Sequence, residues 1–158
     1  MNPESFPGEH PNMYKSLEEN LGNSEVLKSS FSIEDIKKSC TGDEDLMFLY
    51  SEMMDCCGRY LEDVCKLAQL DVKIKEENSR ELAEERAGAD EARRLLHDST
   101  MDSIKILVRN MKQRGKDVDW AKKFNANDRS QYASFAIMAS FQEIQRFLKE
   151  KEKKNGKN

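Results

Sequence analysis

Residues 41–75 read TGDEDLMFLYSEMMDCCGRYLEDVCKLAQLDVKIK, and the spacing of their apolar side chains decides the fold. Leu46, Leu49, Met53, Cys57, Tyr60, Leu61, Val64, Leu67 and Ala68 recur at steps of three and four, which gathers them on one helical face wide enough to pack against another helix. Asp43, Asp45, Glu52, Asp55, Glu62 and Asp63 fall mainly on the other faces. Thr41 followed by Glu44 has the capping-box spacing, so the helix is expected to start there.

Toward the C-terminus, the stretch KIKEENSRELAEERAGAD (73–90) is almost all charged. One helix could run straight through it, but Asn78 and Ser79 can cap a new one, and a reversal buries both apolar faces. A turn is therefore expected near Glu76 to Ser79. The helical pattern then resumes with Leu82, Ala92, Leu95, Leu96, Ile104, Leu107, Val108 and Met111, and Gly115 is placed to end it. A connection carrying Trp120 and Phe124 leads to Asn125, Asn127 and Asp128, which offer several N-caps. The last helix carries Tyr132, Phe135, Ala136, Ala139, Phe141, Ile144, Phe147 and Leu148 at helical spacing.

Toward the N-terminus, all three prolines lie in the first eleven residues, and residues 1–12 read as a disordered lead-in. From Met13 to Phe31 apolar residues are sparse. Ser32 to Ile36 reads as one short helical turn with Ser32 as its N-cap, and Cys40 and Gly42 mark a break. The expected fold is all-α: an antiparallel bundle of three long helices, roughly 42–75, 79–114 and 128–151, with a short N-terminal helical segment laid across them. Residues 13–150 form a single helical domain in this reading, and 151–158 a flexible basic tail. No internal repeat and no heptad sustained over several turns is visible.

The totals agree with few, long elements. The chain has 158 residues, only 7 glycines, and 35% charged residues. No apolar run is long enough to span a bilayer and the N-terminus lacks the character of a secretory signal, so a soluble cytoplasmic protein is expected, with no membrane contact. Cys40, Cys56, Cys57 and Cys65 then read as free, mostly buried thiols. The net charge of −4 hides an asymmetry: residues 1–92 carry 22 acids and 10 bases, residues 93–158 carry 8 acids and 16 bases. Such a split suits docking of one half on the other, self-association, or an anionic partner for the basic half.

Arg93, Arg94, His97, Asp98 and Asp102 project together on one helix and form the most suggestive cluster. A His-Asp metal centre needs further histidines, and only His10 remains, in the lead-in; di-iron bundles need Glu-x-x-His pairs, and none occurs. No metal and no cofactor is expected. Arg93 and His97 resemble the arginine and histidine of the HEPN family of helical ribonucleases, although the family spaces them by four to six residues and here they are separated by three. The resemblance implies metal-independent phosphodiester cleavage, with Arg93 stabilising charge and His97 as acid or base beside Asp98. The competing reading is a structural His97 bonded to an acid across a helix interface, with Arg93 or Arg94 paired to Asp90. The stretch ARRLLHDSTMDSIKILVRNMKQRGKD (92–117) also resembles small helical bacterial proteins grouped as a domain of unknown function, which implies a bacterial origin and assigns no residue a role.

Arg94, Met101, Lys105, Arg109, Lys112 and Lys116 share one helical stripe, with Lys122, Lys123 and Arg129 beyond, and could meet a phosphate backbone. The stripe has no aromatic residue to stack on bases, and the N-terminal half offers acids to pair with it. The leading reading is a non-enzymatic helical module that self-associates, as a dimer, or binds another protein. RNA binding through Arg94, Lys105, Arg109, Lys112 and Lys116 is the alternative, and a ribonuclease using Arg93 and His97 the third.

Overall fold

The computed structural model describes residues 31–122 and 129–155, and among them every regular element is helical. Four α-helices follow one another: α1 (Ile33–Cys40), α2 (Glu44–Glu76), α3 (Arg80–Gln113) and α4 (Arg129–Asn155). A single 3-10 turn, Asp119–Ala121, lies between α3 and α4. The two longest helices, α2 and α3, pack together along their lengths. Side chains meet across them at several levels: Asp71 with Arg86, Tyr60 with Arg93, Cys56 with Ser103 and Asp43 with Arg114.

Local chemistry explains where each helix starts and stops. Ser32 caps α1 as expected, its hydroxyl accepting from the Asp35 amide at 3.3 Å. Thr41 does not cap α2. It ends α1 instead, its amide and hydroxyl both donating to the Lys37 carbonyl, after which Gly42 turns the chain at φ 95°. Asp43 then takes the N-cap, accepting from the amides of Asp45 and Leu46. The reversal falls at 77–79, with Ser79 capping α3 through the Leu82 amide at 3.1 Å. Gly115, at φ 70°, closes α3 while the amides of Gly115 and Lys116 satisfy the Lys112 and Met111 carbonyls.

The core gathers one stripe from each helix. Leu46, Met53, Cys57 and Leu61 of α2 face Ile104, Leu107 and Met111 of α3 and Phe135, Ala136 and Ala139 of α4, all essentially without exposure. α1 contributes Ile33 and Ile36, whose burial is worth about 1.5–3 kcal/mol each in transfer free energy. Gln142 of α4 ties it down: its amide oxygen accepts from Ile33 N–H at 2.7 Å and its nitrogen donates to the Phe31 carbonyl at 3.0 Å. Trp120, in the 3-10 turn, stacks on Phe135 with centroids 5.4 Å apart.

Leu95 and Ala92, expected on the buried face, are exposed, Leu95 by 65%. Leu95 is nine residues from Ile104, two and a half turns, so the two point in opposite directions. Phe147 is likewise 38% exposed. α4 runs to Asn155 rather than ending near 151, with Arg146 paired to Glu143 and Glu150 along it. The lead-in at 1–12, most of the stretch from Met13 to Phe31, Phe124, Lys123, the caps Asn125, Asn127 and Asp128, and the last three residues lie outside the described residues.

The charged halves do meet. Arg114 pairs with Asp43 at 2.8 Å and with Asp45 at 3.4 Å. No helix among the described residues is long and apolar enough to cross a membrane.

Candidate functional site

The first turn of α4 lands on the middle of α3, opposite Tyr60 of α2, and leaves an open cleft of about 550 Å³ lined by Tyr60, Arg93, Arg94, His97, Asp98, Arg129, Ser130 and Ala133. The sequence brings Arg93, Arg94, His97 and Asp98 together simply because they share one turn and a half of α3. Tyr60 and Arg129 arrive by packing. Of the residues expected beside them, Asp102 does not line the cleft.

His97 forms the floor and is 6% exposed. Its Nε2 lies 2.9 Å from the carbonyl oxygen of Arg129, and its Nδ1 lies 3.3 Å from the Arg129 guanidinium. A carbonyl can only accept and a guanidinium can only donate, so in these two bonds Nε2 is the donor and Nδ1 the acceptor. The Arg129 guanidinium also pairs with Asp98, whose carboxylate lies 3.9 Å from His97 Nδ1. Tyr60 closes the other side, its ring edge-on to the imidazole at 5.6 Å. The expected structural role for His97 across a helix interface is present in altered form: its partner is a backbone carbonyl and an arginine rather than an acid.

Arg93 and Arg94 share Asp90. Arg93 binds it at 3.0 and 3.1 Å, Arg94 at 3.1 Å, and Arg93 also reaches the Tyr60 hydroxyl at 3.4 Å. The Asp90 carboxyl is held below the usual aspartate range, first by its hydrogen bond from Arg93. Burial alone would lower Arg93, and the Tyr60 and Asp90 contacts outweigh it, so its charge is secure. The cleft therefore presents three guanidinium groups against the two carboxylates Asp90 and Asp98. It can accept an oxyanion. Both imidazole nitrogens of His97 are engaged by Arg129, so His97 is not free to take up a proton in this arrangement.

The stripe beyond the cleft is less uniform than its spacing implies. Lys105 lies over the ring of the buried Tyr132, 5.5 Å from its centroid, while Arg109, Lys112 and Lys116 are exposed and make no ion pair within the described residues. No group of three or more His, Cys, Asp or Glu among the described residues could hold a metal ion. The four cysteines are unpaired, and burial raises the thiols of Cys40, Cys57 and Cys65, the last to about 11. Comparison with protein families, with characterised proteins and with solved structures finds no match for this chain.

Proposed function

We propose that the chain is a non-enzymatic helical binding module, and that its cleft receives the phosphate or other oxyanion of a ligand. The observation that carries this reading is the convergence of Arg93, Arg94 and Arg129, from two helices, on one open cleft. The side chains of Arg94 and Arg129 are 71% and 56% exposed, so each can turn from its carboxylate to a ligand at modest cost. Guanidinium forks match phosphate oxygens in pairs, which favours arginine for this task over lysine.

The scaffold in this reading is an antiparallel bundle of three long helices with α1 laid across it, supported by the opposed pairings of α2 and α3 and by the burial of α4 against α2. Four unpaired thiols support a reducing compartment, which we take to be the cytoplasm, and the resemblance of residues 92–117 supports a bacterial source. A phosphate could come from a small metabolite or from RNA. Equilibrium binding of inorganic phosphate, a nucleoside monophosphate and a short single-stranded RNA to the full chain separates these sources. Binding that is lost in the Arg94→Ala/Arg129→Ala double variant is expected. The reading fails if none of the three binds, or if the variant binds as tightly as the parent.

A second reading, self-association, is favoured by Leu95 and Ile106, 65% and 41% exposed on α3. Molar mass in solution as a function of concentration tests it.

A further inference from the structure

We infer that the outward face of α3 is a seam covered by a second copy of this chain, with the two α3 helices running in opposite directions. The inference rests on the self-association reading and names its surface and orientation. Along α3, Gly88, Ala92, Leu95, Ser99, Asp102 and Ile106 follow at alternating steps of four and three, the spacing that keeps a line of side chains facing a partner helix. All six are exposed, and the two large apolar ones point away from their own core. Leu95 and Ile106 stand about 16 Å apart along the axis, at the centre of the helix.

Charge supplies the independent argument for the occupant. Counting all its charges, the first half of α3 carries Glu81, Glu84, Glu85, Asp90 and Glu91 beside Arg80, Arg86, Arg93 and Arg94, and the second half Asp98 and Asp102 beside Lys105, Arg109 and Lys112; what differs is the strip next to the seam, where Glu84 and Glu91 stand in the first half and Arg109 in the second. Glu84 pairs with Arg80, whereas Glu91 and Arg109 are exposed and make no ion pair within the described residues. Two copies aligned in the same direction would set Glu91 against Glu91 and Arg109 against Arg109. Reversed, Glu91 of each copy meets Arg109 of the other, twice, under one two-fold axis.

Setting Leu95 against Ile106 of the second copy fixes the register. It places Glu91 beside the second copy's Arg109, Glu84 and Glu85 near its Lys116, and Asp102 opposite its Ser99. The apolar contact therefore forms twice, on either side of the axis, with charge pairs outside it. A nucleic acid strand suits this face less well, because the acids of the first half repel phosphate and the seam carries no aromatic ring to stack on a base.

Sedimentation equilibrium of the full chain over a wide concentration range, repeated with single-stranded RNA, tests the seam. A dimer is expected, with Leu95→Asp returning it to a monomer of unchanged helicity, whose melting temperature no longer depends on protein concentration. Glu91→Arg and Arg109→Glu should each weaken the dimer about tenfold, and the two together should restore it, since the swapped charges again attract. A monomer at every concentration overturns both the seam and the self-association reading. A dimer indifferent to Leu95→Asp, or charge variants that do not rescue one another, overturns the seam and leaves self-association on another face. Mass gained only with RNA, and lost in Arg109→Glu, overturns the seam in favour of a nucleic-acid surface.

Discussion

Arg129 holds His97 from both sides, its backbone carbonyl accepting from Nε2 at 2.9 Å and its guanidinium donating to Nδ1 at 3.3 Å. The first residue of α4 is thereby fixed to the middle of α3, where the two helices otherwise share little contact.

His97→Ala should therefore lower stability by about 1–3 kcal/mol, the cost of leaving buried hydrogen-bonding groups without partners. His97→Gln, which can replace one of the two bonds, should lose less. Urea midpoints of the three proteins check the order. RNA incubated with parent and variants should remain intact; cleavage by the parent that His97→Ala abolishes would put a ribonuclease in place of the binding module.

Acid should weaken the start of α2, where Asp43 caps the helix and pairs with Arg114, and the cleft, where Asp90 holds Arg93 and Arg94. Asp43 is held below its ordinary value of 3.8, first by the Leu46 amide and then, after an opposing effect of burial, by Arg114; Asp90 is lowered first by Arg93. A carboxylate whose folded pKa lies below its unfolded one stabilises fully above the unfolded value and ceases to do so as pH falls through the folded value. Urea midpoints measured from about pH 6 to about pH 2 should fall most steeply below the normal aspartate range. That decline should be shallower in Asp43→Asn and Asp90→Asn, each of which starts less stable at neutral pH.

Thiol reagents should distinguish one cysteine from three. Cys56 is half-buried beside Ser103, whereas Cys40, Cys57 and Cys65 are fully enclosed and their thiols are raised by burial. Mass spectrometry after a short maleimide treatment should show one adduct, at Cys56, with the other three appearing only in denaturant. Rapid labelling of all four in the native protein would contradict the packing of α2.

Phe135→Ala should cost about 3–5 kcal/mol, because the ring is fully buried between Phe31 and Trp120. The chain has a single tryptophan, so its emission reports the same event. A red shift in the folded variant marks the loosening of the 3-10 turn.

Much of the fold is legible in the sequence because it is periodic. The spacing of Leu46, Met53, Cys57 and Leu61 locates the core face of α2, Ser79 announces the turn, and Gly115 its far end. The start of α2 is less legible, since Thr41 and Asp43 both suit a cap. Competition decides between them: Thr41 is taken by the carbonyl of Lys37, and only Asp43 remains for α2. In α3 the apolar residues serve two faces, so a single pattern drawn through Leu95 and Ile104 mixes opposite sides of one helix. The cleft is half legible. Arg93, Arg94, His97 and Asp98 follow from one helical turn and a half, but Arg129 stands at the far end of a basic run, 32 residues from His97. No local signal marks it as the imidazole's partner, because only the docking of α4 sets its carbonyl there.

The amide of Gln142 bonds backbone groups 109 and 111 residues earlier in the chain. On a ribosome, α1 is therefore made long before the side chain that completes its anchorage. At about 5–20 residues per second, its Ile33 amide waits some 5–20 seconds for the side chain that satisfies it. During that interval α2 and α3, whose contacts are nearest along the chain, can already have closed on each other.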